Sequence, residues 1–290
     1  MVQLERTRGS QCTVRRAATF TLAESLIRPS FTDTNLEDPR QLAEVLRELA
    51  NSAGLLKQKR WSLSLPEAST QTLVLTLETQ VHSSSELQEV LTWKMERGFG
   101  APLEELAVSK ERLPKDAQGR DRYLAIATTR TVLAEYENVF ASLGWRIGLI
   151  LPRHFGEAQW LLRNGAVGDS LLLSAAEEGG FTAVIFRDKA PLIIRTVNCV
   201  AEESEDELFR LLLFYRDRRT GDTQESQSPL SRLMIIGEGF TKERAREIVN
   251  ETTGGDLRPL EAHDLGLQLP GRELSFDAIA APAGLATLSW

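Results

Sequence analysis

Two glycine-containing turns are the stretches of this sequence whose residue types could hold a phosphate or a base. The first reads Glu177-Glu178-Gly179-Gly180 and has Thr182 just beyond it; the second, Gly237-Glu238-Gly239, follows a predicted strand. Glycine lets backbone lie close to a ligand, and a hydroxyl can donate to a phosphate oxygen. Each turn also has a simpler interpretation. The first is typical of a solvated hairpin tip, and the second of a turn that needs positive φ.

Histidine and cysteine contribute no recognisable site. His82, His154 and His263 are scattered, which is typical of surface or loop positions rather than of a catalytic base. Cys12 and Cys199 are far apart and have no partner at the ligand spacing of a zinc site. The sequence therefore predicts no metal site and no disulfide framework, as in proteins of a reducing compartment.

The elements around the two turns predict a βββαβα unit in the second half of the chain. Apolar runs separated by turn residues indicate strands, and apolar residues at helical spacing indicate helices. In order, the predicted elements are strands at 170–175, 181–187 and 191–197, a helix from residue 205, a strand at 232–237, a helix capped by Thr241, a short strand at 257–261 and a helix at 277–288.

The first half follows a similar plan, with an extra β-α-β-β block at residues 72–128. A helix should begin at Asp38-Pro39, since a capping acid followed by proline is a helix start, and should end at Gly54. The other predicted elements are a short strand at 2–5, strands at 12–22, 60–65 and 147–151, and helices at 132–143 and 155–163.

Composition excludes several classes of protein. The chain has 290 residues, with 42% hydrophobic and 26% charged side chains, as expected for a globular protein of two cores. Its net charge of −7 disfavours nucleic-acid binding. The sequence shows neither a membrane-spanning apolar run nor the apolar centre of a signal peptide, so we expect a cytoplasmic protein without direct membrane insertion.

Five stretches, in order and spacing, resemble PilM-type type IV pilus assembly proteins. These proteins are relatives of FtsA in the actin-like ATPase superfamily. The stretches are "DPRQLAEVLRELANSAGLLKQKRWSLSLPEAS", "ELQEVLTWKMERGFGAPLEEL", "AIATTRTVLAEYENVFASLGWRIGLI", "DELFRLLLFYRDR" and "LMIIGEGFTKERAREIV".

The resemblance implies an α/β fold: a duplicated ribonuclease H-like, actin-like ATPase fold with an inserted β-α-β-β subdomain in the first half. It divides the chain into a first actin-like subdomain at 1–71 plus 129–165, an inserted subdomain at 72–128 and a second actin-like half at 166–290.

Three departures from the family pattern concern the nucleotide. The first phosphate loop, an Asp-Ile-Gly strand and a serine-rich turn, would lie before Met1. The second loop carries Glu177 and Glu178 in place of its Asp-x-Gly, and carboxylates repel phosphate oxygens. The adenosine loop, Gly237-Glu238-Gly239, is interrupted by a charge. We therefore expect degenerate nucleotide binding, no catalytic residues and no cofactor.

The alternative is a functional ATPase whose first strand lies upstream of Met1. Under that reading the cofactor is ATP with magnesium. The residues that would then bind the nucleotide are Gly179, Gly180, Thr182, Gly237, Glu238 and Gly239.

PilM-type proteins bind the cytoplasmic tail of the membrane protein PilN between the first subdomain and the inserted block. The resemblance implies the same role here: a scaffold of a pilus or secretion platform, peripheral to the inner membrane and able to form homo-oligomers. Phe99, Pro102 and Leu103 are the candidate partner-binding residues; packing of this turn on its own helix is the simpler interpretation.

The family's first strand also lies in the interior of its sheet. Without it, the first sheet should rearrange, accept a strand from a partner or become distorted, because buried backbone groups need partners.

Overall fold

The computed structural model describes residues 1–7, 11–78, 83–163, 168–176, 180–221, 230–239, 241–271 and 273–289. The chain forms two compact units. Unit 1 comprises Met1–Gln3 and Arg16–Arg153, and unit 2 comprises Leu4–Arg15 and His154–Trp290. The predicted three-part division at residues 71, 128 and 165 stays a prediction.

All seven predicted helices are present, and strands alternate with them as expected. The helices are α1 Pro39–Ser52, α2 Ser84–Phe99, α3 Arg130–Ser142, α4 Arg153–Arg163, α5 Ser204–Gly221, α6 Lys242–Thr253 and α7 Phe276–Ala286. The strands are β1 Val2–Arg6, β2 Cys12–Ala17, β3 Arg60–Leu65, β4 Gln71–Thr76, β5 Leu106–Leu113, β6 Arg122–Thr129, β7 Arg146–Pro152, β8 Asp169–Ala175, β9 Phe181–Arg187, β10 Ala190–Val197, β11 Leu230–Ile236 and β12 Leu267–Gln268.

Helix α1 begins and ends where the sequence predicts. The Asp38 carboxylate accepts hydrogen bonds from the N–H groups of Arg40 and Gln41 at 2.9 and 3.0 Å, which satisfies two orphan donors of the first turn. Gly54 follows the helix end at φ +68°. The apolar side of α1 packs with α3 and the parallel strands β3 and β7 around a core that includes Leu42, Leu65 and Val139.

The inserted block is a three-stranded antiparallel sheet covered by one helix, all within unit 1. Its strand order is β4-β6-β5, so the central strand is the last in sequence. Ser83 caps α2 by accepting from the N–H of Glu86 at 3.1 Å. Leu91, Met95 and Phe99 on α2 pack against Leu106 and the other apolar residues of the sheet.

Unit 2 contains a four-stranded sheet in the order β10-β9-β8-β11. Strands β8 to β10 form an antiparallel meander, and β11 returns parallel to β8. Every residue of β8 is buried, as expected for a strand covered on both faces. Leu208, Leu211 and Leu212 of α5 supply the apolar cover on one face.

Helices α4 and α7 approach each other closely in unit 2. Trp160 of α4 is fully buried and donates its indole N–H to the carbonyl of Ala280 at 2.8 Å. A Cβ added to Gly156 would collide with the Ala281 backbone, so the absence of a side chain permits this contact.

The predicted strand at 257–261 is wrong. The structure has only an isolated parallel bridge there, between Pro259 and Leu233. The Leu260 N–H donates to the Leu233 carbonyl at 2.8 Å beside this bridge. The short strand β12, which pairs with β2 through Leu267 and Cys12, was not predicted because two residues give no periodic signal.

The first half has its strands in separate sheets. One sheet has the order β1-β2-β12, and β3 and β7 form a second sheet of two strands. Among the described residues, no backbone hydrogen bond joins β1 to β3. None of the helices among the residues that the structure describes combines the length and apolarity needed to cross a bilayer.

Candidate nucleotide loops and partner-binding surface

The two glycine turns lie side by side because β8 and β11 are parallel neighbours. Ser174 near the end of β8 pairs with Ile236 at the end of β11, so the turns leave the same edge of the sheet. In the turn after β8, the N–H of Ala176 donates to the carbonyl of Gly180 at 3.1 Å. The sheet therefore brings together Gly180, Gly237, Glu238 and Gly239; Gly179, Glu177 and Glu178 lie outside the described residues.

The glycines of the second turn are needed for the contact between the two turns. A Cβ on Gly237, which has φ +93°, would lie 2.7 Å from the carbonyl oxygen of Ala175. A Cβ on Gly239 would lie 2.9 Å from the carbonyl oxygen of Ala176. These spacings are shorter than any van der Waals contact, so the geometry accounts for both glycines without a ligand.

A carboxylate of the chain itself accepts a hydrogen bond from one backbone N–H of the second turn. Asp277, in the first turn of α7, accepts from the N–H of Gly237 at 3.2 Å and pairs with the Lys242 ammonium at 2.9 Å. Asp277 therefore already uses an N–H and an ammonium group that a ligand at this turn would need as donors. Sequence reasoning missed Asp277, because Gly237 and Asp277 are 40 residues apart and no local pattern links them.

The Thr182 hydroxyl, which the alternative reading places near phosphate, forms a hydrogen bond within the sheet. Thr182 is buried in β9, and its hydroxyl lies 3.0 Å from that of Thr196 on β10. Ser174 is its neighbour on β8, and the Ser174 hydroxyl is buried without a hydrogen-bond partner in the described structure. Glu238 is exposed. Within the described residues, no three metal-ligating side chains come together.

The predicted partner-binding residues have three different environments. Phe99 is buried in the core of the inserted block, Leu103 is half-buried against it and Pro102 is exposed. The N–H of Leu103 donates to the Glu96 carboxylate of α2 at 3.2 Å, so this turn packs on its own helix. Of the three, Pro102 presents the most accessible surface.

An exposed aromatic residue on α2 was not predicted. Trp93 is 56% exposed, and the Arg97 guanidinium lies over its ring at 5.3 Å from the centroid. Helical periodicity contains the signal, because Leu91 and Met95 face the core and residue 93 then points away from it. Exposed tryptophan with arginine is typical of protein-binding surfaces.

A buried polar network holds the start of the inserted block in unit 1. The Asn35 side-chain oxygen accepts from the hydroxyls of Ser69 and Tyr136, the latter at 3.3 Å. Thr128 of β6 donates to the Ser69 carbonyl at 2.8 Å. Burial raises the pKa of Tyr136 to about 12, because the phenolate would lose its hydration.

One solved structure shares the fold of this chain over almost its whole length. A chain of the PilM–PilN type IV pilus biogenesis complex superimposes with a TM-score of 0.75 at 16% identity, over 99% of this chain and 94% of that one. This chain has the fold of that PilM–PilN chain. The predicted fold class is thereby confirmed.

Two further solved structures are similar to this chain over most of its length. A Bacteroides thetaiotaomicron protein with an actin-like ATPase fold gives a TM-score of 0.45 at 11% identity, over 87% of this chain and 84% of that one. The cytoplasmic domain of EpsL from the Vibrio cholerae type II secretion system gives a TM-score of 0.44 at 12% identity, over 86% of this chain and 81% of that one. No protein-family model matches the sequence, and no curated protein does.

Proposed function

We propose that this chain is a cytoplasmic scaffold of a type IV pilus or related secretion platform, and that it docks the cytoplasmic tail of a PilN-like membrane protein. The observation that carries the proposal is the superposition on a chain of the PilM–PilN complex over 99% of the present sequence. The scaffold would be peripheral to the inner membrane through that partner.

The inserted block supports such docking physically. An extended tail gains affinity from backbone hydrogen bonds and from pockets for alternate side chains. Trp93, Arg97 and Pro102 offer an exposed aromatic, cationic and apolar surface on one subdomain. Phe99 supports this surface from the core, so its substitution should reduce stability before it changes recognition.

Titration calorimetry with a synthetic tail peptide from the source organism's PilN-like protein tests the proposal. We expect saturable binding that Trp93→Ala and Pro102→Glu each weaken by about tenfold, since central aromatic contacts dominate such interfaces. Val200→Asp is the matched control, because Val200 is also an exposed apolar residue but lies in unit 2. Absence of heat with the wild-type chain would contradict tail docking.

We further propose that the protein no longer uses ATP and is not an enzyme. The described residues do not fit a magnesium nucleotide. Asp277 occupies the Gly237 donor, and Thr182 bonds within the sheet. Phosphoryl transfer depends on positioned donors and metal ligands, and loss of one donor already costs about 100-fold in rate.

Calorimetry with magnesium-ATP at millimolar concentration tests this second part. We expect no heat beyond dilution and no release of phosphate. Saturable binding would instead favour the functional actin-like ATPase, whatever the result with the tail peptide.

A further inference from the structure

Helix α5 of unit 2 is apolar on both of its sides. Leu208, Leu211 and Leu212 face the core of the unit and are fully buried. On the outer side, Phe209 is 46% exposed and Phe214 is 51% exposed. A helix that is apolar all round is normally covered on every side. The outer side of α5 therefore has the character of a contact surface.

Four outward-facing residues of α5 follow the spacing of a coiled-coil seam. They are Asp206, Phe209, Leu213 and Arg216. Their intervals of three, four and three residues are the alternation that places side chains along one line of a helix. All of them are exposed except Leu213, which is partly exposed. This line, the α5 seam, is about 15 Å long and has an acid at one end, an arginine at the other and two large apolar residues between them.

Both charged ends of the α5 seam are available to a partner. Among the residues that the structure describes, Asp206 forms neither an ion pair nor a side-chain hydrogen bond. Arg216 lies 3.8 Å from the carboxylate of Asp217, its neighbour in sequence, and both side chains are more than half exposed. An exposed pair of this kind contributes little free energy, so Arg216 loses little when it turns to another acid.

We propose that α5 pairs antiparallel with α5 of a second copy of this chain, through the α5 seam. A two-fold axis beside Leu211, midway between Phe209 and Leu213, brings together residues at equal distances on either side of it. Phe209 then packs on the partner's Leu213. Asp206 and Arg216 each lie five residues from Leu211, about 7.5 Å along the helix, so Asp206 meets the partner's Arg216.

The charge pattern selects both the orientation and the occupant. Parallel copies would place Asp206 beside the partner's Asp206 and Arg216 beside the partner's Arg216, where like charges repel. The antiparallel arrangement turns both contacts into pairs of opposite charge. The α5 seam is thus complementary to itself, as an interface with a two-fold axis requires. A helix of a different protein would need the same residue types at the same intervals.

This inference goes beyond the proposed pilus role and concerns a different surface. Helix α5 belongs to unit 2, whereas the surface proposed for the tail is on α2 of unit 1. Because the α5 seam is short, the interface lies at the small end of the range for specific complexes. We therefore expect a dimer that forms at micromolar concentration rather than at nanomolar concentration.

Sedimentation equilibrium of the full chain without any peptide tests the proposal, over about 1 to 200 µM to include a micromolar Kd. We expect a reversible equilibrium between monomer and dimer. Phe209→Ala should weaken the dimer by at least about tenfold, because the two-fold axis removes the aromatic contact twice. The control Trp93→Ala truncates another exposed aromatic residue, in unit 1, and should leave the equilibrium unchanged.

Charge reversal tests the orientation of the two helices. Asp206→Arg should weaken the dimer by about tenfold, because it places two arginines together at each end of the α5 seam. The double variant Asp206→Arg, Arg216→Asp should restore the dimer, because each contact again joins opposite charges. Glu44→Arg makes the same change of charge at an exposed position of α1 in unit 1 and should have no effect.

Three results would overturn the proposal. The first is a chain that stays monomeric over the whole concentration range. The second is a dimer that tolerates Phe209→Ala, because the contact would then lie elsewhere. The third is a folded double variant that dimerises as weakly as Asp206→Arg, because the helices would then not be antiparallel. Far-ultraviolet circular dichroism verifies that each variant is folded. None of these results bears on tail docking, because no tail peptide is present.

Discussion

At the scale of single residues, stability depends on a few buried polar groups whose partners come from distant parts of the chain. Tyr136 of α3 and Ser69 before β4 both donate to Asn35, which lies in the segment before α1. Such a network stabilises the fold only while every member keeps its partner. A buried polar group without a partner has lost its hydration and gains no hydrogen bond in return. Two predictions belong to this scale.

Tyr136 should give the protein a specific loss of stability in alkali. The pKa of the Tyr136 hydroxyl is about 12 in the folded chain, whereas the ordinary value for tyrosine is 10.0. The raised folded pKa means that stability is complete below pH 10 and decreases as pH rises toward 12, because the unfolded phenol ionises first. Urea denaturation should show a decrease of about 2–3 kcal/mol across this range. Tyr136→Phe should lack the decrease; an unchanged slope in that variant would contradict the assignment.

Asp169 is the centre of the corresponding network in unit 2. Its buried carboxylate accepts from the Arg187 guanidinium in two bonds of 3.0 Å and from the Tyr215 hydroxyl at 2.7 Å. Asp169→Ala should reduce the free energy of unfolding by about 3–5 kcal/mol, since it removes both charge-assisted hydrogen bonds from a partly buried guanidinium and one from a buried hydroxyl. Arg195→Ala is the control: it removes an exposed ion pair with Glu207 and should cost less than about 1 kcal/mol. Asp169→Asn, which keeps the shape, should cost less than the alanine.

At the scale of elements, the turns after β8 and β11 are fitted to each other. Gly237 lies in the left-handed region, and a side chain there meets the Ala175 carbonyl. Gly254, after α6, has a similar φ of +71° but open space around the added Cβ. A comparison of Gly237 with Gly254 therefore distinguishes two reasons for glycine: a left-handed backbone conformation and close approach of another backbone segment.

Alanine substitutions at these two positions should differ in cost. Gly254→Ala should cost about 1 kcal/mol, the strain of a left-handed residue. Gly237→Ala should cost about 2–4 kcal/mol, because the neighbouring turn must also move. Chemical denaturation measures both. Equal costs would mean that the two turns are not in close contact in solution.

At the scale of the whole molecule, two units each have a core of their own, and the proposed role is recognition rather than catalysis. A protein of this kind should respond thermodynamically to its partner. A ligand that binds only the folded state adds about 2.7 kcal/mol of stability at 100 times its Kd.

Thermal unfolding should therefore distinguish the two candidate ligands. The tail peptide of the PilN-like protein should raise Tm, and magnesium-ATP at millimolar concentration should leave it unchanged. The peptide effect should disappear in a Trp93→Ala, Pro102→Glu double variant and persist in Val200→Asp. A rise in Tm with magnesium-ATP alone would reverse the proposed loss of nucleotide binding.

Local signals were sufficient for most elements of this chain. Asp38-Pro39 and Gly54 bound α1, and the apolar run at 170–175 identified strand β8. These signals are local because caps act over one turn and side-chain periodicity acts within one element. The strand expected at 257–261 failed for the converse reason, since pairing there depends on which partner strand lies nearby.

The sequence by itself determined the helices and most strands. It also showed that both glycine turns depart from a nucleotide-binding pattern. Each of these features depends on residues that are close together in sequence. Only the tertiary structure decided that the Asp277 carboxylate accepts from the Gly237 N–H, and that Phe99 is buried while Trp93 is exposed. Those features arise where segments far apart in sequence meet, and a contact between distant segments leaves no periodic trace in either one.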